Sequence, residues 1–221
     1  MIKDNNKNSL LPSYFNPILP ENTQILDVIV RDSIVKVYFS KELNNITEEQ
    51  SEKMIEAIIY TIEDNNVLGI EIYVEGKLLK YVPHTNKELP ALLTKDFGIN
   101  KTYELIGTND IVKIVMMYYS DCDDKYCEIP ITKYLNDNRE KLEIIFEDLS
   151  NTSNNNLISL FDGVKLIDYD ITNDNITINL SNDIDREEME LLIGSIENNY
   201  DISKINILVN NQKKFTKTIE K

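Results

Sequence analysis

The apolar positions of this chain spell one pattern twice. Leu19 to Ser40 runs LPENTQILDVIVRDSIVKVYFS and Leu160 to Ser181 runs LFDGVKLIDYDITNDNITINLS, one over the other without a gap. Identity is confined to Leu19/Leu160, Asp27/Asp168 and Ser40/Ser181. What repeats is the apolar set: Ile25/Leu166, Leu26/Ile167, Val30/Ile171, Val35/Ile176, Val37/Ile178 and Phe39/Leu180. Period-two alternation predicts two strands in each copy. A shared pattern with so little identity marks tandem copies of one small domain.

A helix follows in each copy. Ile55, Ile58, Ile59 and Ile62 fall at i, i+3, i+4, i+7, and Met189, Leu192, Ile193 and Ile196 repeat that spacing. Thr47 with Gln50, and Asp185 with Glu188, supply capping-box start signals. A closing strand carries Ile70, Ile72 and Val74 in the first copy and Ile205, Ile207 and Val209 in the second. The common core is strand, strand, helix, strand. Strands are expected near 23–30, 34–40 and 69–75, and again near 164–171, 175–181 and 203–209.

The second copy has more in front. Ile114 to Tyr119 and Tyr126 to Tyr134 read as a hairpin across a turn containing Asp121, Asp123 and Asp124. Asp137 and Glu140 then open a helix with Leu142, Ile145, Phe146 and Leu149 on one face. The full unit reads β-β-α-β-β-α-β over residues 112–209. The same alignment places Met1 near Leu142, so the first copy is expected to begin inside its own first helix. That helix face should cover Leu166, Ile176, Ile178 and Leu180 in the second copy. In the first, Ile25, Val35, Val37 and Phe39 would be left to Leu10, Leu11, Tyr14, Phe15 and Ile18, to the second module, or to another copy of the chain.

The expected organisation is therefore a first module over 1–80, a linker over 81–110 and a second module over 111–221. Pro83 and Pro90 punctuate the linker, and Leu89 to Leu93 is expected to pack on a domain surface. Asn151 to Asn156 reads as a loop.

Composition narrows the function classes. A net charge of −15 argues against nucleic acid, whose phosphates need clustered Lys and Arg. It also disfavours an anionic membrane surface. No apolar run approaches the ~20 residues of a membrane span, and Met1 to Asn8 has no apolar signal-peptide core.

Candidate chemistry is sparse. His84 is the only histidine; with no second His it anchors neither a His-rich zinc site nor a Ser/His/Asp arrangement. Cys122 and Cys127 flank the hairpin turn, too far apart for C-x-x-C and without a second pair. They read as two free thiols, or as a cross-hairpin disulfide in an oxidising compartment. Asp121, Asp123 and Asp124 lack the Gly and distal Glu of a calcium loop and read as turn chemistry. Ser40 and Ser181 end strands, which suits capping better than nucleophilic catalysis. No glycine-rich phosphate loop is present. No catalytic, cofactor-binding or metal-ligating residue is assigned, and the chain is read as not an enzyme.

The run LPENTQILDVIVRDSIVKVYFSKEL, the helix after it and the strand IEIYVEGK resemble the sporulation and spore germination (GerM-type) domain family. PALLTKDFGINKTYEL and KIVMMYYSDCDDKYCEIPITKYLND resemble clostridial members with two such domains. The second copy departs from the pattern where Pro20 and Glu21 become Phe161 and Asp162, and where the Glu75-Gly76 turn becomes Asn210-Asn211.

The resemblance implies an α/β fold of two small sandwich modules similar to ring-building motifs, each with two helices on one side of a three-stranded sheet. It implies an extracytoplasmic lipoprotein whose anchor is not in this sequence, and no catalytic residue or cofactor. The expected function is non-enzymatic assembly or scaffolding in the cell envelope during sporulation or germination. Its partners would be other envelope proteins or a second copy. The alternative is an extracytoplasmic module binding peptidoglycan or a small germinant, with Tyr118, Tyr119, Tyr126 and Tyr134 as pocket candidates.

Overall fold

The structure is a computed structural model that describes residues 17–62, 66–121, 126–151, 157–158, 161 and 163–219. The chain divides into two compact units, Met1–Asn100 and Lys101–Lys221.

The first unit contains strands β1 (Ile25–Arg31) and β2 (Ile34–Phe39), helix α1 (Glu48–Ile62), and strands β3 (Gly69–Val74) and β4 (Lys77–Leu78). The sheet order is β1-β2-β3-β4. β1 and β2 are antiparallel, joined by a turn with positive φ at Asp32 and Ser33. β2 and β3 are parallel, which requires a crossover, and α1 supplies it. One sheet face carries Val35, Val37, Phe39, Ile70, Ile72 and Val74, all buried. Against it pack Met54, Ile55, Ile58 and Ile59 of α1. The helix stripe read from the sequence is thus the core stripe, with Ile62 at its margin.

The second unit opens with β5 (Thr102–Glu104), then β6 (Ile111–Asp121), β7 (Tyr126–Asn136), α2 (Lys141–Asn151) and β8 (Leu157–Ile158). It continues with β9 (Leu166–Ile171), β10 (Asn175–Leu180), α3 (Arg186–Glu197), β11 (Lys204–Val209) and β12 (Gln212–Thr218). One sheet runs β12-β11-β10-β9 and the other β5-β7-β6-β8. The expected β-β-α-β-β-α-β order is present. Leu142, Ile145, Phe146 and Leu149 of α2 share one core with Ile176, Ile178, Leu180, Leu192 and Ile196, and Leu166 packs against it.

The two copies agree in detail. Ile25 pairs with Phe39 as Leu166 pairs with Leu180, each beside a bulge. β2 runs parallel to β3 as β10 does to β11. The identical residues sit where strand geometry is irregular. Ser40 Oγ accepts the Gln24 N–H at 3.0 Å, and Ser181 Oγ accepts the Lys165 N–H at 2.9 Å. Asp27 Oδ1 accepts the Val28 N–H and Asp168 Oδ1 the Tyr169 N–H, both at 2.9 Å. Leu160, the third identity, lies outside the described residues.

One expectation is corrected. Each repeat sheet has four strands, not three, because the chain turns back after β3 and after β11. Glu75-Gly76 and Asn210-Asn211 all have positive φ, the backbone of a two-residue type I′ turn. α3 begins with a complete capping box: Asp185 Oδ1 accepts the Glu188 N–H at 2.8 Å, and Glu188 Oε2 accepts the Asp185 N–H at 2.8 Å. At α1 the Thr47 hydroxyl meets the Gln50 side chain at 3.4 Å.

The expected linker is taken up by both units. Leu93 forms a two-hydrogen-bond bridge with Ile70 and is buried, and Leu89 packs on the first core. β5 pairs in parallel with β7 and extends the hairpin sheet.

Candidate functional site

The sequence candidates do not gather into a reaction centre. His84 has a positive φ and a ring nitrogen 3.0 Å from the Asn44 carbonyl oxygen, so it ties a loop to the turn before α1. Cys127 is disulfide-bonded, and Cys122 is the chain's other cysteine. The free-thiol alternative does not hold for Cys127. Asp121 ends β6, while Cys122, Asp123 and Asp124 lie outside the described residues. Among the described residues no three His, Cys, Asp or Glu side chains group as metal ligands.

The hairpin tyrosines point different ways. Tyr118 is fully buried, donates its hydroxyl to Asp148, and lies under the ammonium of Lys133. Lys133 Nζ reaches Asp148 Oδ1 at 2.6 Å. Burial first, and then the charge of Asp148, push the Tyr118 pKa up. Tyr119, on the opposite strand face, reaches Glu190 at 3.4 Å. Its pKa is pushed up to about 12, by burial and then by Glu128. Tyr134 stacks on Tyr103 at 5.0 Å. The Tyr126 side chain lies outside the described residues. A hollow of about 300 Å³ is lined by Ile70, Leu79, Tyr81 and Leu93, and a wider one of about 850 Å³ by Leu19, Ile46 and Lys53. Neither is lined by Tyr118, Tyr119 or Tyr134. These tyrosines support cross-strand and helix packing.

The unusual surface lies on β1. Ile25, Val28 and Val30 sit beside Phe39, Val37 and Val35, on the face that carries the core. They are nonetheless 54, 51 and 67% exposed. Their counterparts Leu166, Tyr169 and Ile171 pack against the second core, where Tyr169 donates its hydroxyl to Glu143 of α2 at 2.6 Å. Leu26 and Ile29 are also exposed. So much exposed apolar surface on one strand is unusual; Leu10, Leu11, Tyr14 and Phe15, expected to cover this face, lie outside the described residues.

The outer face beside β1 is polar and aromatic. Tyr38 stacks on Tyr73 with ring centroids 4.6 Å apart. The Tyr73 hydroxyl donates to Glu71 Oε2 at 2.7 Å, and Lys36 Nζ lies 3.0 Å from the same oxygen. The Tyr73 hydroxyl, and then Lys36, hold the Glu71 carboxyl below its usual range. The apolar residues of β1 are legible in the sequence through the repeat. This ladder is not, because Lys36/Glu71 and Tyr38/Tyr73 meet only through the parallel β2–β3 register.

Comparison with known proteins fits this architecture. Residues 1–80 match the family described as Germane: Sporulation and spore germination. The chain is 27% identical over 139 residues to spore germination protein GerM of Bacillus subtilis (strain 168). That match covers 61% of this chain and 37% of the relative, so the chain spans little more than a third of that protein. The fold is that of the solved tandem GerMN domains of the sporulation protein GerM from Bacillus subtilis, with a TM-score of 0.79 and 20% identity. The superposition covers 91% of this chain and 76% of the other. Residues 1–80 thus resemble the GerM-type sporulation and spore germination domain, and the fold of the chain is that of two such domains in tandem. Among the described residues no helix is long and apolar enough to cross a membrane.

Proposed function

We propose that this chain is a non-enzymatic assembly protein of the cell envelope, acting in sporulation or spore germination. Strand β1 of its first module is where it engages other components. The observation that carries this reading is the contrast between two equivalent strands. β9 is packed under α2, while β1 presents Ile25, Val28 and Val30 to solvent. Buried at about 25 cal/mol per Å², such side chains provide a driving force for association.

An extracytoplasmic setting suits the disulfide at Cys127, since such bonds persist in oxidising compartments. The match of residues 1–80 to the sporulation and spore germination family, and the similarity to GerM, support the stage of action. Attachment through a lipid is part of the proposal and rests on the family resemblance.

The test is recruitment in sporulating cells. The complete protein carrying Val28→Lys and Val30→Lys is expected to fold normally, to leave the envelope fraction and to lower the yield of germination-competent spores. Full recruitment and full spore yield from the folded variant would overturn the proposal.

A further inference from the structure

The proposed role does not say what meets β1, and comparison of the sheet edges does. An edge strand offers unpaired N–H and C=O groups to any passing strand, and proteins guard against this with charge, cover or twist. In the second unit three strand edges carry guards. β9 carries Asp168 and Asp170 on its outer face, and β12 carries Lys213, Lys214 and Lys217. β6 is closed by side chains of the α3 region. β1 carries Val28, Ile29 and Val30 in succession, all exposed, and among the described residues it pairs only with β2.

The sequence of β1 is also complementary to itself. Align two copies antiparallel with Ile29 opposite Ile29. Val28 then faces Val30, and Asp27 faces Arg31, each twice about a two-fold axis. The hydrogen-bonding pattern agrees. Arg31 and Ile34 flank the two-residue turn, so in alternation the backbone of Arg31, Ile29 and Asp27 points to β2, and that of Val28 and Val30 points outward. Val28 and the partner's Val30 therefore form hydrogen-bonded pairs. Ile29 and the Asp27–Arg31 pairs occupy the closer non-hydrogen-bonded sites. The same register in β9 would set Asp170 against Asp170, a like-charge contact that disfavours pairing.

We infer that β1 is a self-pairing edge, and that two copies of this chain join through it into one continuous antiparallel sheet centred on Ile29. The inference rests on the reading of β1 as an interaction surface and names its partner. The groups engaged in the single chain are exchanged. Asp27 Oδ1, which now accepts the Val28 N–H at 2.9 Å, turns to the partner's Arg31. The Val28 N–H passes to the partner's Val30 carbonyl. Arg31 gives up a 3.5 Å contact with Asp32 in which both side chains are largely exposed, so little is lost.

Sedimentation velocity on the full chain tests this at about 0.15 M salt, where the −15 charge is screened beyond ~8 Å. The weight-average mass should climb with concentration toward that of a dimer. Asp27→Arg places like charges opposite one another and should raise the half-dimer concentration at least about tenfold. Adding Arg31→Asp to it should restore the wild-type value. Ile29→Lys should also give a monomer, with circular dichroism unchanged.

A wild-type chain that stays monomeric overturns the inference. So does a dimer indifferent to Ile29→Lys and Asp27→Arg, or a double variant no better than the single. If the chain is monomeric but Val28→Lys and Val30→Lys still abolish envelope recruitment, only self-pairing falls. If recruitment is untouched, the interaction reading falls with it.

Discussion

Asn199 pairs with Val115 as a neighbouring strand would. Its side-chain amide accepts the Val115 N–H at 3.0 Å and donates to the Val115 carbonyl at 2.6 Å. One helical turn earlier, Ser195 Oγ accepts the Met117 N–H at 2.9 Å. The end of α3 thus closes the edge of β6 where β8, paired only at Tyr119 and Ser120, does not reach. Gly194 permits the approach: a Cβ there would lie 3.0 Å from the Met117 side chain.

Replacing Asn199 with Leu removes both bonds and leaves the Val115 groups under an apolar side chain. Unsatisfied backbone groups cost about 1–3 kcal/mol. Urea denaturation followed by circular dichroism should show a loss in that range, and Asn199→Asp should fall between Leu and wild type. A change under about 0.5 kcal/mol, the size of an ordinary surface substitution, would contradict the pairing.

Gly69 is the second position where space decides. A Cβ there would come within 2.9 Å of the Leu92 Cβ, which sits beside the Ile70–Leu93 bridge. The equivalent position in the second sheet is Lys204, which pairs with Asn175 as Gly69 pairs with Ile34. Gly69→Ala should destabilise the first unit by about 1–3 kcal/mol, the usual range for overpacking. It should also speed amide exchange of Leu93. Unchanged exchange would mean that the 89–93 segment is held some other way.

The turn into α2 predicts a pH response. The Arg139 side chain, above all, holds the Asp137 carboxyl down to about 2 through contacts of 2.7 to 3.2 Å. An unfolded Asp titrates near ~3.9. The folded state therefore binds fewer protons, so this contribution is complete above about pH 4 and is lost as pH falls toward 2. Asp137→Asn should lower stability at neutral pH and flatten the stability-versus-pH curve between those values. A variant with the wild-type acid profile would refute the assignment.

Much of the fold could be read from the sequence because the apolar period is strong where one face is buried. Ile55, Ile58 and Ile59 mark a helix stripe, and Val35 and Val37 a half-buried strand. β12 could not be read, because QKKFTKT is polar and its pairing follows from the positive-φ turn at Asn210-Asn211. Nor could the edge closure by Ser195 and Asn199, whose partners on β6 lie far away in sequence. The disulfide at Cys127 stayed open because spacing alone does not fix redox state. The exposed face of β1 was legible through the repeat, since Ile25 and Leu166 occupy one position in two different surroundings.

That difference is the centre of the account, and hydroxyl-radical footprinting of the dilute, monomeric chain reads it most directly. It compares aliphatic side chains at matched positions: Ile25 and Val30 of β1 against Leu166 and Ile171 of β9. The account predicts oxidation of Ile25 and Val30 several-fold faster than of Leu166 and Ile171. Equal protection of the two sets in the monomer would show that β1 is covered within its own chain, and would contradict the account.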